Sequence, residues 1–152
     1  MNSSKLKAMQ IILGAFCFAI ISFAMVTLLL NKETMHFNLS IASDRSGLYP
    51  LFPLIGLGLI VFGRSMFNKL LGNLPEGANA DEKIAGYQAA FIVRSAFLEG
   101  ASLMNIVGFL ISANAIFLVV PAIAIVLLIL TRPSRQGVID TLNLSYPDTE
   151  KL

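Results

Sequence analysis

The sequence predicts an all-α integral membrane protein: a four-helix bundle forming one domain over residues 1–152, with both termini in the cytoplasm. Three observations predict it. Of 152 residues, 56% are hydrophobic and only 13% charged, where a soluble domain carries about 25% charged residues. The apolar residues gather in four runs, each within the range of about 17–25 residues that crosses a bilayer. Of the 11 Lys and Arg residues, nine fall at one set of helix ends and two at the other, the asymmetry that orients membrane proteins.

With a mean hydropathy of +0.77, the chain has too little polar surface to cover a soluble core. A soluble enzyme, a disordered tail and a disulfide-stapled secreted module are excluded. The single cysteine, Cys17, lies in an apolar run, and the single histidine, His36, lies in a polar loop. Neither has the neighbours that a metal site or a nucleophilic triad needs. No cofactor is predicted and the protein is read as non-enzymatic. No basic stripe interleaved with aromatics is present, so nucleic acid is not a predicted partner.

Span one is residues 8–30, charge-free after Lys5 and Lys7. It is too long for a signal-peptide core of about 7–15 residues and has no small-x-small cleavage site, so it reads as a retained helix. A polar loop with Lys32, Glu33, His36, Asp44 and Arg45 follows. Span two is residues 49–70, with Pro50 and Pro53 in its first turns, where a missing amide donor costs least, and Arg64 and Lys69 near its far end. Gly72, Pro75 and Gly77 stop it.

Asn79 and Glu82 have the spacing of a capping box, so helix three starts near residue 80, outside the membrane. Its span is residues 89–111. The charge-free stretch from Gly100 to Thr131 is too long for one crossing at about 1.5 Å per residue, and Ser112-Ala113-Asn114 supplies a tight turn inside it. Span four is residues 115–131, kinked at Pro121. The tail, residues 132–152, carries Val138, Ile139 and Leu142 at helical spacing and is expected along the inner membrane surface.

Basic residues Lys5, Lys7, Arg64, Lys69, Lys83, Arg94, Arg132, Arg135 and Lys151 lie on one side, Lys32 and Arg45 on the other. That places both ends and the middle loop inside, at the bacterial inner (cytoplasmic) membrane.

Glu99 carries the most information about function. It lies deep in helix three, where an unpaired carboxylate costs about 2.5–3.5 kcal/mol or more. Arg94 is about 140° away on the same helix, but Arg64 sits at similar depth on span two. Arg64, Arg94, Glu99 and Asn105 are therefore the candidate intramembrane polar cluster, read either as a lock between helices two and three or as an ion path. Small residues form the second signal. Gly56, Gly58 and Gly63 on span two, and Ala96, Gly100, Gly108 and Ser112 on helix three, are candidate close-packing positions.

The segments Lys83-Ile84-Ala85-Gly86-Tyr87-Gln88, Ile92-Val93-Arg94-Ser95-Ala96-Phe97-Leu98-Glu99-Gly100, Asn114 and Thr131-Arg132-Pro133-Ser134 resemble those of a group of small uncharacterised four-helix inner-membrane proteins of Bacteroidetes-type bacteria. The resemblance covers the second half of the chain. It implies an inner-membrane location and marks Arg94, Glu99, Gly100, Asn114, Arg132 and Pro133. A more distant similarity is to the proteolipid c subunits of rotary ATPases, which place a carboxylate in mid-membrane beside a glycine-rich helix. The glycine series here is shorter, and arginines accompany the carboxylate.

The expected function is that of a small non-catalytic subunit, accessory or structural, of a larger membrane complex, with the lipid bilayer and other membrane subunits or further copies of itself as partners. The alternative is proton or cation translocation through Glu99.

Overall fold

The computed structural model describes residues 4–40, 48–75 and 77–151; the loop residues Asp44 and Arg45 lie outside them. The described residues form five α-helices and no strand: α1 (Ser4–Asn31), α2 (Leu51–Gly72), α3 (Ala80–Ser112), α4 (Val119–Leu130) and α5 (Arg135–Leu142). Three of them, α1, α2 and α3, are each long and apolar enough to cross a membrane. A fourth crossing arises if Ala115–Leu130 and α5, bent by 82° at their junction, are taken together.

Helix α3 is the centre of the bundle. It packs against α1, α2 and α4, whereas α1 lies on α3 rather than on α2. Its start is set by local chemistry. The Asn79 side chain accepts from the Glu82 amide at 2.9 Å, and Glu82 Oε2 accepts from the Asn79 amide at 3.0 Å, so the capping box expected from the sequence is present. Asn79→Ala is expected to lower stability by about 1 kcal/mol and Asn79→Ser to leave it nearly unchanged, as read from thermal unfolding midpoints.

The 33 residues of α3 extend about 50 Å at 1.5 Å per residue. The helix ends where Ala113 adopts a left-handed conformation, φ 55°, at the turn placed there by the sequence. A 3-10 turn, Ala115–Leu118, then leads into α4. Pro121 is the third residue of α4. Its missing amide therefore falls in the first turn, and the irregularity lies before the proline rather than as a kink at it.

Helix α1 runs parallel to α3 and is tied to it at both ends. Lys5 and Asp81 form an ion pair of 2.8 Å. At the other end Asn31 Nδ2 donates to the carbonyls of Phe109 and Leu110 at 3.4 and 3.2 Å. Between these ties α1 buries Met9, Leu13, Ile20 and Thr27, packing chiefly on α3 and also touching α4. Gln10 Nε2 adds a bond to the Pro133 carbonyl at 3.0 Å.

The tail departs from its expectation. Ser134 caps α5 by accepting from the Gly137 amide at 3.1 Å. Val138 and Leu142 are buried in the common core, with Leu142 beside Leu71 and Leu74. The apolar stripe of α5 is thus turned onto the end of the bundle instead of onto a membrane surface, because that end offers leucines to cover.

Candidate functional site

Helices α2 and α3 are antiparallel and unusually close, and glycines set the distance. A Cβ at Gly56 would collide with Asn105 Nδ2 and lie 3.1 Å from Val120 Cγ1; one at Gly63 would lie 2.8 Å from Phe97 Cβ. A Cβ at Gly108 would lie 3.1 Å from Phe117 and 3.2 Å from Phe52. Aromatic pairs run beside this seam: Phe52 and Phe117 at 5.9 Å, Phe62 and Phe97 at 5.2 Å, and Phe67 and Tyr87 at 5.7 Å, all near edge-to-face. Gly86 belongs to the same group, since a Cβ there would strike Leu74.

Gly58 and Gly100 differ. Nothing lies within 4 Å of a Cβ built at either, and both are exposed, as is Ala96. All three small residues face outward, and neither glycine closes a contact inside the monomer. Ser112 acts at the turn: its hydroxyl donates to the Gly108 carbonyl at 2.7 Å and accepts from the Asn114 amide at 3.2 Å.

Asn105 is fully buried. Its Nδ2 donates to the Phe52 carbonyl across the seam at 3.0 Å and to the Ala101 carbonyl on its own helix at 2.9 Å. Its Oδ1 has no partner. The polar tie between α2 and α3 therefore rests on an amide seated over a glycine.

The expected cluster of Arg64, Arg94, Glu99 and Asn105 is not assembled in one place. Arg94 and Asn105 lie on the side of α3 that meets α2. Glu99 lies about 140° from Arg94 and about 120° from Asn105 around the helix. Gly63 rests against Phe97 and the Arg94 carbonyl, which fixes Arg64 at the level of Arg94 but away from Glu99. Neither arginine meets Glu99: among the described residues the carboxylate of Glu99, a partly exposed residue, has no ion pair or hydrogen bond. One turn before it, the Ser95 hydroxyl is fully buried and also without a partner.

Arg64 and Arg94 instead line one pocket of 160 Å³ between α2, α3 and α4, whose other walls are Ile60, Val61, Leu98 and Leu127. The Arg94 guanidinium stands 5.4 Å from the centre of the Phe67 ring, a cation-π contact that holds it in place.

A third polar feature, absent from the expected cluster, lies at the opposite end. Asn114 Oδ1 accepts from the amides of Asn38 and Ile116 at 3.1 and 3.2 Å, and its Nδ2 donates to the Asn38 carbonyl at 2.9 Å. The backbone of His36 bonds both Ala113 and Ala115, at 3.0 and 2.8 Å. The loop after α1 is thus clasped to the α3–α4 turn. The imidazole of His36 stays exposed. The signal for this clasp is an asparagine placed just after a helix end, where its side chain can bond backbone on both sides.

Among the described residues no group of three or more His, Cys, Asp or Glu side chains is placed to hold a metal ion. No family model, curated protein or solved structure matches the chain.

Proposed function

We propose that the protein is a four-span, non-catalytic subunit of the bacterial inner membrane, with both termini in the cytoplasm, that docks on another membrane subunit through the outward face of α3. The bilayer and its orientation are supported by helices long and apolar enough to cross and by nine basic residues against two at the alternate ends.

The observation that carries the docking reading is the Glu99 carboxylate without a partner inside the monomer, next to the exposed small residues Ala96 and Gly100. A carboxylate left alone at that depth costs about 2.5–3.5 kcal/mol on insertion scales. A partner helix relieves it by bringing a hydrogen-bond donor or a cation, and small residues allow the close approach this needs. A shallow groove of 230 Å³ over Val93, Ala96 and Phe97 continues the same face. Co-migration with a stoichiometric partner in mild detergent is the test. Gly100→Leu and Glu99→Leu should abolish it, and Gly58→Leu, on the outward face of α2, should not.

One observation favours ion translocation as a second reading: the buried, unpartnered Ser95 hydroxyl lies one turn from Glu99. That reading requires proton or sodium flux in liposomes by the purified protein alone, abolished by Glu99→Gln with the fold intact. Flux of that kind, with no partner retained, overturns the docking reading.

A further inference from the structure

We infer that the pocket between α2, α3 and α4 binds a phosphate-bearing anionic lipid, with the phosphate on Arg64 and Arg94 and the start of an acyl chain along Ile60, Val61, Leu98 and Leu127. This rests on the reading of the bundle as membrane-embedded, but not on docking at Glu99.

Three features meet in this pocket. First, Arg64 and Arg94 both line it and, among the described residues, neither has a carboxylate partner. Two like charges lining one pocket repel each other. A phosphate between them turns that repulsion into two charge-assisted attachments, for which the planar guanidinium fork is well shaped. Second, Arg94 is already positioned by the Phe67 ring at 5.4 Å, so part of the ordering that binding would require is present beforehand. Third, the remaining walls are aliphatic, and Val61, 70% exposed, lies at the outer edge. A free inorganic anion has no use for such walls, whereas a lipid entering sideways has a chain to lay on them. Basic pockets between membrane helices on the cytoplasmic side suit anionic headgroups for this reason.

The test uses the full chain in nanodiscs of phosphatidylcholine, with or without phosphatidylglycerol, and reads retained lipid by native mass spectrometry. Two arginines at a headgroup are expected to favour phosphatidylglycerol by about 30-fold. Arg64→Gln/Arg94→Gln should remove that preference while helicity and monodispersity are kept. Should the double variant fail to fold, Ile60→Phe narrows the pocket and leaves both charges in place, and it too should reduce retention. Equal retention of the two lipids, or a preference that survives in both variants, overturns the proposal. So does inorganic phosphate that raises the thermal midpoint in detergent as much as phosphatidylglycerol does, which would make the ligand a free anion. Carbonate extraction of the wild type separately checks membrane insertion, so a failure of that reading is not confused with a failure of lipid binding.

Discussion

Gly56→Ala is expected to lower stability by about 3 kcal/mol, the upper part of the usual range for overpacking a filled interior. The methyl group would occupy the position of Asn105 Nδ2 and press on Val120 Cγ1 at 3.1 Å. Helices α2 and α3 must then separate, or the amide must leave its two carbonyl acceptors. Asn105→Ala alone should cost only about 1 kcal/mol. It loses two hydrogen bonds of about 1 kcal/mol each, but it also removes a buried Oδ1 that has no partner. Because truncating Asn105 vacates the space that the added methyl group needs, the double variant should be less destabilised than the sum of the two by about 2 kcal/mol. Unfolding midpoints of the four proteins complete the cycle. Simple additivity would show that the amide and the glycine do not share one space.

Asn114→Ala should be the second large loss, about 3 kcal/mol, for three hydrogen bonds of about 1 kcal/mol each. It frees the amides of Asn38 and Ile116 and the carbonyl of Asn38. Two backbone bonds from His36 then carry the clasp alone. Hydrogen exchange should accelerate at Asn38, Ile116, His36 and Ala115 and not in the middle of α3. Asn114→Asp keeps the acceptor for both amides but sets a carboxylate against the Asn38 carbonyl, so its loss should be smaller than that of alanine only when the group is protonated at low pH. If exchange rises evenly over the whole bundle instead, the clasp is not a local unit.

The sequence is a good guide to depth along the helices and a poor one to direction around them. The helical runs, the capping box at Asn79 and the turn at Ser112-Ala113-Asn114 are written in hydropathy and in residues whose chemistry acts within a few positions. The pairing of Arg64 with Glu99 rests on depth alone. What defeats it is azimuth: Gly63 seats α2 on the Arg94 and Phe97 side of α3, and no local pattern in either helix states which sides will meet. The same holds for the glycines. Gly56 and Gly58 are two residues apart and look equivalent in sequence, yet about 200° of helical turn puts one in the seam and the other outside. Gly86 passes unnoticed because its partner, Leu74, comes from the connecting loop. The α5 stripe is legible as amphipathic, but what it covers depends on where α2 ends.

The central place of α3 has a consequence for the order in which the molecule is made. α1 and α2 leave the ribosome first, and they pack on α3 rather than on each other. The first half of the chain therefore has no interior of its own. Two of its glycines, Gly56 and Gly63, and the apolar stripe of α1 meet their partner surface on α3. A chain halted after residue 75 would lack the helix on which both α1 and α2 pack.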